Sequence, residues 1–336
     1  MPGSPVPSTM QAAVVRETNG SFEILDRPVP AVAPGQVLVR IGASGVNPLD
    51  TKIRAGVATH AEHPLPAVLG MDMAGVVIRV GAGVTRFQVG DEVYGLVGGV
   101  GGLQGTLAEY ASVDADLLAR KPKSLSLRDS AALPLVAITA WEGLIDRARV
   151  STGHKVLVHG GAGGVGHAAV QIALAFGADV YATAKPSQFD VVRSFGATPV
   201  DYTASTPADY VQEYTADEGF DVVYDTVGGA TLDASFVSVR RYTGHVVSAL
   251  GWGTHSLAPL SFRGATYSGV FTLMPMLSGK GRAHHGEILA QVAELVDAGQ
   301  LRPLVDTQRF TLSQAGEAHA RLAGGQAVGK VVVDIA

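Results

Sequence analysis

The chain has 336 residues, 47% of them hydrophobic and 16% charged, which is material for about two cored domains and excludes a disordered polymer. Its 25 Lys and Arg against 30 Asp and Glu leave a formal charge of −5, so no basic surface or tail invites nucleic acid. Cysteine is absent and glycine occurs 42 times; disulfides, thiolate zinc and a cysteine nucleophile are therefore excluded, while many turns or close backbone approaches are required.

The opening MPGSPVPST is polar and lacks the basic-then-apolar order of a signal peptide. It reads as a flexible tail, with ordered structure starting near Met10. No apolar run reaches the ~18 residues needed to span a bilayer, so a soluble, cytoplasmic protein without a membrane partner is expected. Short β-rich runs at 11–16, 36–41 and 74–80, separated by Gly, Pro and Asp turns, predict an irregular antiparallel β-domain.

The texture changes near residue 125. Ser126 followed by Asp129 opens a helix that Pro134 breaks or bends. A strand is expected at 155–159, then a helix with Val165, Ala168, Ala169, Ile172, Ala173 and Phe176 on one face, ending at Gly177. A strand at 179–183 and a helix from Ser187 to Gly196 follow. After these come strands near Val200 and at 221–224, a helix near 231–241 and a strand at 244–250. Such alternation is the signature of a parallel α/β sheet. Beyond about 275 only two helices, at 287–298 and 313–322, and strands near Val305 and at 329–335 are expected. That is too little to fold alone, so it rejoins an earlier domain.

Between strand 155–159 and the following helix lies Gly160-Gly161-Ala162-Gly163-Gly164-Val165-Gly166, with G-x-G-x-x-G as Gly161, Gly163 and Gly166. One glycine permits the tight turn, one lets backbone approach a pyrophosphate, and one lets the helix pack close. The anion then rests on unpaired N–H groups at the positive helix end, where Gly164 and Val165 would touch it. An NAD site calls for an acid at the end of the second strand. Here that strand ends Ala182-Thr183-Ala184-Lys185, with no acid before Asp190. A cation there suits a 2′-phosphate, which favours NADP(H); the other reading of Lys185 is an ordinary solvated lysine.

At this point the chain resembles the medium-chain dehydrogenase/reductase superfamily, in its zinc-free quinone oxidoreductase (zeta-crystallin-like) and alkenal reductase branch. The resemblance runs from about Met10 to the end. It rests on Gly70-Met71-Asp72-Met73-Ala74-Gly75-Val76-Val77, Val80-Gly81, Phe87, Gly90-Asp91-Glu92-Val93 and Gly105-Thr106-Leu107-Ala108-Glu109-Tyr110. It continues with Thr139-Ala140-Trp141-Glu142-Gly143-Leu144, the glycine loop with Gln171, Asp225-Thr226-Val227-Gly228-Gly229 and Gly329-Lys330-Val331-Val332. Leu174 departs from the basic or small polar residue usual at its place.

The resemblance implies an α/β protein with a GroES-like β-domain at 10–131, completed by 275–336, and a doubly wound Rossmann NADP-binding domain at 132–274. A small electrophilic substrate would lie in the cleft between them, with 55–66, 96–104 and 252–272 as cleft walls, and the protein would be a homodimer. Gly70-Met71-Asp72 stands where zinc-dependent members carry Gly-His-Glu. With no cysteine and only His60-x-x-His63 as a candidate pair, no metal is expected.

The same resemblance implies the site residues. Asn47, in Gly45-Val46-Asn47-Pro48-Leu49-Asp50-Thr51-Lys52, would hydrogen-bond the substrate carbonyl or the nicotinamide ribose. Lys52 would place positive charge near a developing enolate or the cofactor, and Asp50 would fix the loop or pair with Lys52. Thr139 would face the nicotinamide ribose, and Thr183 and Lys185 the adenosine side. Tyr202 would line the 2′-phosphate pocket, and Leu250 and Gly251 would meet the nicotinamide. Phe271 and Thr272 would close over the ring, and Lys330 would reach back toward the cofactor. No tyrosine in 55–66 supplies the proton donor of enoyl-thioester reductases. The expected activity is NADPH-dependent hydride transfer to quinones or α,β-unsaturated carbonyls. The alternatives are an enoyl-thioester reductase and a catalytically idle NADPH-binding structural or RNA-binding protein.

Overall fold

A computed structural model describes residues 6–335. Half of the expected N-terminal tail, residues 1–5, lies outside the described residues, and the first strand begins at Thr9. The chain forms two units: 6–135 with 273–297 and 303–335, and 136–272 with 298–302. The sequence divides the chain at 132 and 274, whereas the short piece 298–302 joins the second unit.

That second unit is built on a six-stranded sheet, parallel throughout, in the order Thr198–Asp201, Asp179–Ala184, Lys155–His159, Val222–Asp225, His245–Ser248, Thr266–Gly269. Numbered along the chain this is 3-2-1-4-5-6, the doubly wound order, whose switch point beside strand 1 is where ligands bind at the strands' carboxyl ends. Val156, Leu157 and Val158 are fully buried, as a strand covered on both faces requires. Tyr210, Phe220, Phe236 and Val246 pack with Leu157 in one core.

The first unit holds a seven-stranded sheet and a three-stranded one. Its central strand, Gln36–Gly45, pairs antiparallel with Asp72–Val80, with Tyr110–Asp114 and with the C-terminal Val332–Asp334. The chain end thus completes a sheet begun near the N-terminus, which is why residues beyond 275 carry too little to fold alone. The helix Arg282–Asp297 docks there too, where the Tyr94 hydroxyl donates to the Leu289 carbonyl at 2.6 Å.

Pro134 breaks the helix as expected: Leu127–Ala131 ends, and Pro134–Trp141 restarts with proline in its first turn. Several elements exceed the sequence reading. Pro48–Arg54 is a helix too short to show periodicity. Pro207–Thr215 is capped by Thr206 and Asp209, a signal present but not read. The sheet closes on Thr266–Gly269, a mostly exposed strand without an apolar run. Among the described residues no helix is long and apolar enough to cross a membrane.

Candidate active site

In the second unit, strand Lys155–His159 delivers the chain into the glycine loop, and helix Gly164–Ala175 starts on Gly163 as N-cap. Gly160 turns at φ +74°. Its N–H donates to the Thr183 hydroxyl at 3.0 Å, the Gly161 N–H to the Thr183 carbonyl at 3.0 Å, and the Gly163 N–H to the Gly160 carbonyl at 2.8 Å. Thr183 is buried, and both its oxygens brace the loop. Gly164, Val165 and Gly166 open the helix, so their N–H groups have no partner within it. With no side chain on Gly163 or Gly164, this backbone cradle has the form that fits an anion.

Lys185 follows strand Asp179–Ala184, and Tyr202 follows strand Thr198–Asp201. The register pairs Ala184 with Asp201, so Lys185 and Tyr202 emerge side by side at the carboxyl edge. Both are exposed. A cation beside a phenolic hydroxyl is a donor set that fits the 2′-phosphate of NADP(H).

Around the switch point the structure adds a hub that sequence reasoning quoted but gave no role. Asp225 is fully buried and accepts from the N–H groups of Val227 at 3.0 Å and Gly228 at 2.9 Å, and from the Ser248 hydroxyl at 2.7 Å. Ser248 in turn accepts from the Leu250 N–H at 3.1 Å, so one carboxylate shapes the 226–229 turn and the start of the Leu250-Gly251 segment. The Thr226 hydroxyl donates to the His159 carbonyl at 2.6 Å. Burial pushes His159 down to about 4 against the pull of Asp225, so it is a neutral packing residue at pH 7. Thr139 and Thr272 share a hydroxyl contact of 2.9 Å. Phe271 meets Trp252 edge to face at 6.3 Å.

The first unit brings together residues from three distant stretches. Asn47 is the N-cap of helix Pro48–Arg54, with Pro48 at its first position. The Asp50 carboxylate accepts from the Asn47 N–H at 2.8 Å, so Asp50 fixes the turn and does not pair with Lys52, which stands exposed on the same helix. The Asn47 carboxamide donates to Asp72 Oδ2 at 2.9 Å and accepts from the Lys330 ammonium on its other side. Lys330 Nζ also donates to the Val46 carbonyl at 3.2 Å and lies 3.6 Å from Asp72 Oδ2. The Leu135 N–H occupies Asp72 Oδ1 at 2.8 Å.

All four side chains are at most 4% exposed. Burial pushes Asp72 up and Lys330 down, each against the attraction of the other. Burial also pushes Asp50 up, to about 7, against the Asn47 N–H that its carboxylate accepts. Here the structure departs from expectation: Lys330 is spent on Asn47, Val46 and Asp72 rather than extended to a ligand. Of the predicted cleft walls, 55–66 borders an open cavity of about 560 Å³ lined by Ile53, Gly56, Thr59, His63 and Leu65.

His63 Nε2 faces the Val68 carbonyl at 3.3 Å. Among the described residues no group of three His, Cys, Asp or Glu side chains could hold a metal. Both oxygens of Asp72 are already engaged by Leu135, Asn47 and Lys330. These residues do not fit zinc.

Models of the alcohol dehydrogenase GroES-like domain and of the zinc-binding dehydrogenase family match residues 33–123 and 195–333. The chain is 36% identical over 340 residues to the 2-methylene-furan-3-one reductase of Solanum lycopersicum, covering 98% of this chain and 80% of that protein. It is 36% identical over 313 residues to the chloroplastic NADPH-dependent alkenal/one oxidoreductase of Arabidopsis thaliana, covering 91% and 73%. A crystal structure of an alcohol dehydrogenase superfamily protein from Novosphingobium aromaticivorans is similar with a TM-score of 0.96 and 57% identity, over 98% of this chain and 100% of that one.

Proposed function

Because this chain belongs to the medium-chain dehydrogenase/reductase superfamily, we propose that it is an NADPH-dependent reductase of α,β-unsaturated carbonyls and quinones that works without zinc. The observation that carries this reading is the similarity, over 98% and 91% of this chain, to two reductases whose names specify an enone or alkenal acceptor. NADPH supplies the hydride. The chain's own residues do the rest: the amides at Gly164 and Val165 hold the pyrophosphate, and Lys185 and Tyr202 take the 2′-phosphate. Asn47 orients the substrate carbonyl, and the Lys52 ammonium stabilises the oxygen as negative charge develops on it. After hydride addition at the β-carbon, solvent protonates the α-carbon, so no buried acid is required. Positioning of the reacting atoms supplies much of the rate.

Purified protein should oxidise NADPH with enones, enals or quinones, remain active after EDTA treatment, and turn over acyl thioesters far more slowly. Loss of activity in EDTA with recovery on adding zinc overturns the metal-free mechanism. A preference for enoyl thioesters, or tight NADPH binding without turnover of any acceptor, overturns the substrate class.

Charge-assisted hydrogen bonds to a phosphate contribute about 1.5–3 kcal/mol. Lys185→Ala is therefore expected to weaken NADPH about 10- to 100-fold and leave NADH binding unchanged. Equal losses for both cofactors would remove Lys185 from the 2′-phosphate.

The protein is further proposed to be a homodimer. Strand Thr266–Gly269 ends the sheet order with a free edge; Phe262, four residues before it, and Tyr242, whose N–H donates to the Arg263 carbonyl at 2.7 Å, are 88% and 86% exposed. Such an edge invites pairing with another chain, and light scattering should return twice the chain mass.

A further inference from the structure

We infer that the buried Lys330–Asp72 pair is a positioning device: it locks the Asn47 carboxamide in one orientation and leaves one Asn47 N–H to be given to the substrate carbonyl. This rests on the reading above that Asn47 contacts the substrate.

A carboxamide has two nearly isosteric ends and can turn over, exchanging donor for acceptor. Here charge forbids the exchange. An ammonium only donates, so the Lys330 side can be met only by Oδ1; a carboxylate only accepts, so the Asp72 side can be met only by Nδ2. Turning the amide over would set N–H groups against an ammonium and an oxygen against a carboxylate in a buried site, where unmatched polar contacts are costly. Nδ2 carries two hydrogens, and Asp72 uses one. The second has no acceptor among the described residues. Contact of Oδ1 with a cation also polarises the amide and makes that remaining N–H a better donor.

The backbone makes the device rigid. Sheet register sets Val332 opposite Gly45, and Gly45 opposite Asp72; continued two residues, the first of these ladders brings Lys330 beside Asn47. Lys330 is itself held by its N–H to the Leu304 carbonyl at 2.7 Å and by the Asp306 N–H on its carbonyl at 2.9 Å. A buried ion pair adds little net stability over an apolar pair, because both charges are taken out of water. Orientation of a neighbouring group accounts for the pair where stability does not.

The test is a mutant cycle on the full-length enzyme with NADPH and an enone. Asp72→Asn and Lys330→Met are made together, so that no uncompensated charge stays buried. The paired variant should keep the wild-type NADPH affinity and lose about 10- to 100-fold in kcat/KM, the loss expected for a misplaced hydrogen bond. In an Asn47→Ala background the same pair should cost no more than about 3-fold, because the group it positions is gone. Wild-type kinetics in the folded pair, or losses that multiply in the combined variant, overturn the positioning role and leave Asn47 as a ligand contact. Wild-type kinetics in Asn47→Ala itself overturn that contact and the positioning role with it. A rise in NADPH Kd in Asn47→Ala, with kcat unchanged, assigns the N–H to the cofactor and overturns the carbonyl assignment. If the pair melts far below wild type, Asp72→Asn with Lys330→Gln, which also removes both charges but keeps a polar group at each position, enters the same cycle.

Discussion

Gly166→Val is expected to remove NADPH binding from an otherwise folded protein, raising Kd more than 100-fold. A Cβ at residue 166 would lie 2.0 Å from the Gly160 carbonyl oxygen, 2.7 Å from its carbon and 3.0 Å from Gly161 Cα. None of these atoms is the tip of a flexible side chain. Gly160 is pinned by its bond to the Thr183 hydroxyl, by the Gly163 N–H on its carbonyl, and by a φ of +74°. Helix and loop must therefore separate, and the N–H groups of Gly164 and Val165 leave the position where they converge on an anion. Overpacking of this kind typically costs ~1–3 kcal/mol, less than the ~5–15 kcal/mol that holds a typical native protein folded. Lost convergence of several amides on one phosphate group costs more in binding. Gly163→Ala is the graded control. Its φ is −81°, and the added Cβ would meet only the Gly160 oxygen, at 3.0 Å, so affinity should fall only a few-fold. Fluorescence titration of NADPH checks both variants; a folded Gly166→Val protein within 3-fold of wild type would refute the cradle.

That cradle was legible in the sequence because its parts are local. A strand, seven residues of loop and a helix carry the whole pattern, and each glycine answers one steric demand. The position of Lys185 just past the end of the second strand was legible for the same reason. The cluster around Asn47 was not. Asn47, Asp72 and Lys330 each belong to a recognisable segment, but the contact between them depends on register. Lys330 reaches Asn47 across 283 residues of chain, because the last strand pairs with Gln36–Gly45. No periodicity within either segment reports which residue will lie opposite which. Asp225 was hidden differently. Its motif was visible, but three of its bonds go to backbone N–H groups and a serine one strand away, and composition does not reveal such a hub.

Acid should unfold the first unit partly through His319, and His319→Leu should remove that sensitivity. His319 sits on helix Ala315–Ala323, 1% exposed, edge to face with Phe22 at 4.8 Å, and neither ring nitrogen has a hydrogen-bond partner among the described residues. Burial, helped by the Arg54 guanidinium, pushes it down to about 3, against an ordinary value of ~6.5 in the unfolded chain. Between those values the unfolded state binds a proton that the folded state refuses, so stability rises with pH across this window and is lost as pH falls through it. At pH 5 the contribution is a loss of ~2 kcal/mol relative to pH 8. Asp50 works in the opposite sense. Its carboxyl, pushed up to about 7 by burial, keeps its proton in the folded state over a range where the unfolded chain releases it. Its contribution therefore falls as pH rises from about 4 to 7. The two slopes oppose each other between about 4 and 6.5, so the wild-type curve understates both. Substitution separates them. In urea unfolding, His319→Leu should gain ~2 kcal/mol relative to wild type on going from pH 8 to pH 5. Asp50→Asn should do the reverse, gaining relative to wild type as pH rises from 5 to 8. If His319→Leu changes stability by the same amount at both pH values, the buried ring is not the group that takes the proton on unfolding.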